Sequence, residues 1–244
     1  NRDYDIWRQL GNTGWGWDDV LPYFIKAENQ ERGQSEFHGV DGPLSVSDQR
    51  IHLPLLDEFQ NAAEEFGIPK TKDFNTGNNH GCGYFQVTEK NGFRCSTSVG
   101  YLKPIKNRKN LKILTNAHVK KINFLNKIAE EVEFWQGNEL KKVKADKEII
   151  LSLGSIGSPQ ILQVSGIGNP KKLKDLGIEI IQELNGVGEN LHDHLMLRPI
   201  YKINGIKSLN KKINSFFGNL MIGLEYIFNR SGPMTMGASQ MCMF

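Results

Sequence analysis

The chain has little that would mark a membrane, secreted-scaffold or nucleic-acid-binding protein. Across 244 residues no apolar run approaches the roughly 20 needed to cross a bilayer, so no membrane span is expected. Three cysteines, Cys82, Cys95 and Cys242, are too few for a disulfide framework. Buried free thiols are the plainer reading; a Cys82–Cys95 bridge would require a secreted protein. The net charge is only +3, and the lysines of Lys141-Lys142-Val143-Lys144 and Lys171-Lys172 have acids close by. That describes a solvated surface and excludes a dense nucleic-acid-binding patch. Internal repeats, low-complexity tracts, Gly-x-Ser-x-Gly and Cys-x-x-Cys are all missing, which removes the commonest serine-hydrolase and dithiol signatures. Neither an initiator methionine nor a signal-like segment opens the chain, and no polar tail closes it, so it reads as an internal fragment. Asn229-Arg230-Ser231 matches a glycosylation tripeptide by pattern alone and leaves a secreted location open.

What is present is ordinary globular composition, 39% hydrophobic and 23% charged, with strand and helix patterns interleaved. The mixture predicts an α/β or α+β fold. Helices are expected over Val20 to Asn29 with Asp18 as N-cap, Pro54 to Phe66 stopped by Gly67, Ser96 to Leu102 broken by Pro104, Lys171 to Leu176 behind Asn169-Pro170, and Phe216 to Phe228. In the last, Phe217, Leu220, Met221, Leu224 and Phe228 share one face, expected to be core. Strands are expected at 44–46, 84–88, 111–114, 119–124, 131–135 and 178–181, with a turn at Gly137-Asn138.

Gly154 to Gly168 carries the most information. The apolar run 149–153 predicts a buried strand, followed by glycine and then Ser158-Pro159, a good N-cap and first helical residue. Strand, glycine turn and helix start together bring bare backbone and a positive helix end near a phosphate. Four Gly-x-Gly pairs occur, at 14–16, 81–83, 166–168 and 186–188, and none extends to the full dinucleotide fingerprint. Each alone reads as a turn. His192-Asp193-His194 is too sparse for a metal centre, so no metal is expected.

The segment Gly154 to Gly168 resembles the second signature of the glucose-methanol-choline oxidoreductase family: small residues, Ser-Pro, two aliphatics, then Ser-Gly-aliphatic-Gly. Further likenesses run in order along the chain. They include Tyr4-Asp5-Ile6-Trp7, Gly11 to Trp15, Asp19 to Phe24, Phe37-His38-Gly39, Gly42-Pro43-Leu44, Asn91 to Thr97, Tyr101 to Pro104, Asn110 to Val119, and Gly186 to His194. The likeness is strongest to the insect glucose dehydrogenase branch. Leu153, where the family has alanine, and Asn169, inserted before Pro170, depart from the pattern.

The resemblance implies FAD as cofactor, a small-molecule alcohol or sugar as substrate, and hydride transfer to the flavin. It implies part of a Rossmann-like FAD-binding domain joined to part of a substrate domain with an antiparallel sheet. Residues 1–35 would cover the cofactor, 36–83 and 196–244 would belong to the substrate domain, and 84–195 would be the second part of the FAD domain. It implies that Val119 holds the adenine through its backbone. Gly154, Ser155, Ser158 and Pro159 would lie near the pyrophosphate or flavin, and Asn190, Asp193 and His194 near the flavin ring. The family's main glycine turn and its C-terminal catalytic histidine have no counterpart here, so no catalytic residue is expected and the piece is expected to be inactive alone. A non-catalytic member that has lost FAD is the alternative from another class. A generic nicotinamide dehydrogenase is a more distant one, because it would lack the second signature.

Overall fold

The computed structural model describes residues 1–195, 197, 200–205 and 208–244. The chain divides into two compact units, Asn1–Leu111 with Lys202–Phe244, and Lys112–Tyr201.

The first unit opens with two helices, α1 (Arg2–Gln9) and α2 (Trp17–Ala27). No sequence pattern had suggested α1. An aromatic cluster holds it to α2: Tyr4 meets Phe24 at 5.9 Å and Trp17 at 6.0 Å, and Trp7 meets Trp15 at 5.9 Å. The helix α2 starts at Trp17 rather than after Asp18, because Asp19 reaches back to accept the Gly16 N–H at 3.0 Å. Two short parallel strands follow, β1 (Glu28–Gln30) and β2 (Leu44–Val46). The connection passes so close to α2 that a Cβ on Gly39 would lie 1.9 Å from the Ile25 carbonyl.

Helix α3 (Pro54–Glu65) forms as the sequence predicts, with Pro54 in its first turn and Gly67 (φ +94°) behind it. Strand β3 (Cys82–Tyr84) lies two residues earlier than the 84–88 expectation. Next comes the hairpin β4 (Glu89–Lys90) and β5 (Phe93–Arg94), turned by Asn91 and Gly92 at φ +53° and +76°. A π-helical turn at Ser98–Leu102 runs straight into α4 (Lys103–Ile105). Pro104 does not break it, since a proline in the first turn of a helix gives up no needed hydrogen bond. Cys82 and Cys95 are buried free thiols, not a bridge. Cys95 instead accepts the Ser45 N–H at 3.4 Å.

The second unit is built on an antiparallel meander of β6 (Ala117–Leu125), β7 (Ile128–Gln136) and β8 (Glu139–Lys144). Asn126 and Lys127, both at positive φ, turn the first hairpin, and Gly137-Asn138 turns the second. Residues 111–114 do not form a strand, because no neighbouring strand pairs with them among the described residues. The run 149–153 is likewise unladdered among the described residues, and Ile150 is 74% exposed. Helix α5 (Gly154–Val164) packs on β6. Then β9 (Ile167–Gly168) pairs in parallel with β10 (Gln182–Glu183) across α6 (Pro170–Asp175), which Asn169 caps at the Lys172 N–H, 3.1 Å away. The ladder thus falls at 182–183, past the 178–181 expectation; the Ile181 N–H bonds the Gly166 carbonyl at 2.9 Å just before it begins.

The chain returns to the first unit with α7 (Leu209–Ile213), α8 (Phe216–Asn229) and β11 (Met241–Met243), antiparallel to β3. The stripe expected to be core on α8 is outside. Phe217 is 75% and Phe228 78% exposed, while Ile222 is buried. Within the unit, α8's partners lie on the side of Tyr226, whose hydroxyl donates to the Gly92 carbonyl at 3.3 Å.

Candidate functional site

All eight residues singled out from the resemblance fall in the second unit. Helix α5 is the element that organises them. It begins a full turn before the expected Ser158-Pro159 start, at Gly154, whose φ of +79° only glycine adopts without strain. Ser158 therefore does not cap with its own backbone position. Its Oγ accepts the Leu153 N–H at 3.1 Å, closing the entry into the helix. Pro159 sits inside α5 and has no N–H, which leaves the Ser155 carbonyl without its usual helical donor. The N–H groups of the first turn, Gly154 to Gly157, have no partner within the helix and carry its positive end. A Cβ placed on Gly154 would meet nothing within 4 Å, so the backbone there is open to close approach.

Val119 lies in β6, paired with Phe134 of β7 just before a bulge. The strand is an edge of its sheet, so its outward N–H and C=O groups face no further strand among the described residues. Helix and strand are joined at α5's other end. Ser165 accepts the Ile122 N–H at 2.8 Å and donates to the Ile161 carbonyl at 2.6 Å.

Asn190, Asp193 and His194 follow a turn that α5 also holds, since Gln163 Nε2 donates to the Val187 carbonyl at 2.9 Å. Gly188 (φ +79°) sits beside that bond, and a Cβ there, 2.4 Å from Gln163 Nε2, would push the flexible Gln163 amide out of place. An ion pair between Lys172 and Glu189 ties the turn to α6. Asn190 adopts φ +57°, its carbonyl bonds His192 Nδ1 at 2.6 Å, and Asp193 accepts the His194 N–H at 2.8 Å. All three candidate side chains are exposed. Among the described residues no hydrogen bond connects them to Val119 or to the first turn of α5. The structure thus places the eight residues around one helix without closing them into one pocket.

Gln163, Ser165, Gly166 and Gly188 are positioning residues; from the sequence Gly166 and Gly188 read only as turn glycines, and Gln163 and Ser165 carry no role of their own. Gly166 (φ +91°) lets β9 run beside 179–181, where a Cβ would fall 2.4 Å from the Glu179 carbonyl. Three of the four lie inside the signature itself. Its Ser-Gly pair was visible, but its use as an internal brace rests on contacts with β6 and with 179–181.

These features fit the dinucleotide that the resemblance implies. The amides of α5's first turn, unpartnered among the described residues, suit a phosphate, and the edge of β6 before Ile122, which no further described strand covers, suits an adenine rim.

Residues 1–196 match the family model described as GMC oxidoreductase. An oxygen-dependent choline dehydrogenase of Vibrio vulnificus is 40% identical over 99% of this chain and 43% of its own length. An alcohol dehydrogenase [acceptor] of Pseudomonas putida is 37% identical over 98% of this chain and 44% of its own. Among solved structures, an FAD-dependent oxidoreductase from Chaetomium thermophilum superposes with a TM-score of 0.88 at 32% identity, covering 98% of this chain and 44% of that one. The chain thus spans less than half the length of the relatives it matches. With a family match over 196 of its 244 residues, this chain belongs to the GMC oxidoreductase family.

Proposed function

We propose that the chain is part of an FAD-dependent oxidoreductase that oxidises the hydroxyl-bearing carbon of a small alcohol. The observation that carries this is the open first turn of α5, with Gly154 at positive φ and the Ser158 hydroxyl locking Leu153, inside a family match that includes an FAD-dependent relative. In this reading the amides of Gly154 to Gly157 hold the pyrophosphate, and Val119 offers backbone groups to the adenine. Asn190, Asp193 and His194 approach the ring end. A bound flavin would supply the hydride-accepting centre; the protein's part is to bind and orient it and to keep water from it.

The 84–195 segment is assigned to the FAD domain, 1–35 to its cover, and 36–83 and 196–244 to the substrate domain. The formation of a separate unit by 112–201, carrying all eight residues, supports the first of these for 112–195, while 84–111 lies in the first unit. Choline and alcohol dehydrogenases among the relatives favour a simple alcohol substrate, and the motif likeness to the insect glucose dehydrogenase branch favours a sugar hydroxyl. Both react at a CH–OH group. The six histidines here do not include the family's catalytic base, so turnover is assigned to residues beyond this chain.

Titration with FAD, followed by amide NMR, tests the reading. Saturable shifts at Val119, Gly154 to Ser158 and Asn190 are expected. Shifts confined to other residues, or none, would sink it.

A further inference from the structure

His38, in the first unit, is a buried titratable side chain that the cofactor site does not use. It stands between two carboxylates from distant parts of the chain. Its Nδ1 lies 2.8 Å from Glu28 Oε2, and its Nε2 lies 3.1 Å from Asp73 Oδ2. The side chain is 8% exposed; Nε2 is fully enclosed and makes no hydrogen bond, so its contact with Asp73 is one of charge. Each neutral form of the ring is mismatched on one side. With the proton on Nδ1, the Nε2 lone pair faces Asp73; with the proton on Nε2, the Nδ1 lone pair faces Glu28. Only the doubly protonated ring suits both carboxylates.

The two acids differ in how firmly they are held. Glu28 belongs to β1, paired with β2, and its Oε1 accepts from Gln30 Nε2 at 3.3 Å. Asp73 belongs to the irregular segment 72–79, where its Oδ1 accepts the Asn75 N–H at 2.8 Å. Gly77 of that segment lies against the Phe37 ring, since a Cβ on it would stand 3.2 Å from Phe37 Cζ. Asn75, Phe37, His38 and Glu28 line one cavity of about 350 Å³, so the segment forms part of its wall. Tyr4 is the one further titratable group lining that cavity among the described residues, and the β2 residues there, Leu44 and Val46, are apolar. Arg32, whose guanidinium donates to the Lys72 carbonyl, is paired with Asp48 at 2.6 Å.

We propose that His38 is a proton-operated latch: with two ring protons it holds the 72–79 segment against β1, and with one it releases that segment and opens the adjoining cavity. Phe74 packs on Phe85 and Phe244, with ring centroids 5.7 and 5.3 Å apart, so the release is confined to the neighbourhood of Asp73 and Gly77. The latch operates whether or not the second unit takes a flavin.

NMR of the purified chain between about pH 5 and 9 tests this, with the His38 ring titration and the nuclear Overhauser effects between Gly77 and the Phe37 ring read in the same samples. The ratio of closed to open segment should fall about tenfold as the ring passes from two protons to one, the loss of one contact to a charged group. The signals of α3 should stay in place. Asp73→Asn is the deciding variant. Its side-chain oxygen still accepts the Asn75 N–H and its amide donates to a neutral ring nitrogen, so the segment should stay closed throughout. His38→Gln has no proton to lose, and it too should remove the pH dependence should Asp73→Asn not fold. Gly77–Phe37 effects that stay constant while the ring titrates, a ring that does not titrate in this range, or full pH dependence in either variant would each overturn the proposal.

Discussion

The Ser165 hydroxyl stands between Ile122 and Ile161, accepting the strand amide at 2.8 Å and donating to the helix carbonyl at 2.6 Å. One buried oxygen thereby ties the edge of β6 to the last turn of α5. Strand and helix carry Val119 and Gly154 to Pro159 respectively, so the spacing of these candidate cofactor contacts depends on it.

Ser165→Ala should leave the Ile122 N–H buried without an acceptor. The expected cost is about 1–3 kcal/mol in denaturant unfolding, with faster hydrogen exchange at the Ile122 amide. Unchanged exchange there would show that the brace is not formed.

Two glycines of the signature should respond differently to alanine. Gly154 is at positive φ with open space around it, so Gly154→Ala should cost only about 1–2 kcal/mol of backbone strain. Gly166→Ala adds a clash 2.4 Å from the Glu179 carbonyl and should cost more, about 3 kcal/mol or above. Thermal melts of both, with Gly186→Ala as a control in open space, check the order.

Gln163→Ala removes the donor to the Val187 carbonyl. A loss of about 1 kcal/mol is expected. The informative readout is NMR relaxation of residues 187–194, which should loosen while the β6–β8 meander stays unchanged.

Glu89 is buried beside Arg50, 3.4 Å away. Burial raises its carboxyl above the ordinary glutamate range, against the opposing pull of Arg50. The folded chain therefore holds this proton more tightly than the unfolded chain. Its contribution to stability is present below the unfolded value and is lost as pH rises through the raised folded one. Glu89→Gln should flatten the fall in stability across mildly acidic pH, measured as urea midpoints against pH. An unaltered slope would assign it to other groups.

Much of the local structure was legible because local chemistry decides it. Gly67 stops α3, Asn169 caps α6, and Gly137-Asn138 turns the meander, each through dihedral preference or a hydrogen bond to a near neighbour. The signature was legible as a series of residue types. Its internal bracing by Ser165 and Gly166 was not, since the partners Ile122 and Glu179 stand 43 and 13 positions away.

The sequence by itself determined the family, the ordered motifs, the turn positions and the α/β character. Those follow from residue identity and from bonds a few positions long. Tertiary structure alone decided that 149–153 runs without a ladder, that Phe217 and Phe228 face outward, and that Gln163 positions the segment leading to Asn190. Strand pairing and burial depend on which surfaces meet, and apolar periodicity records only that a face exists, not what covers it.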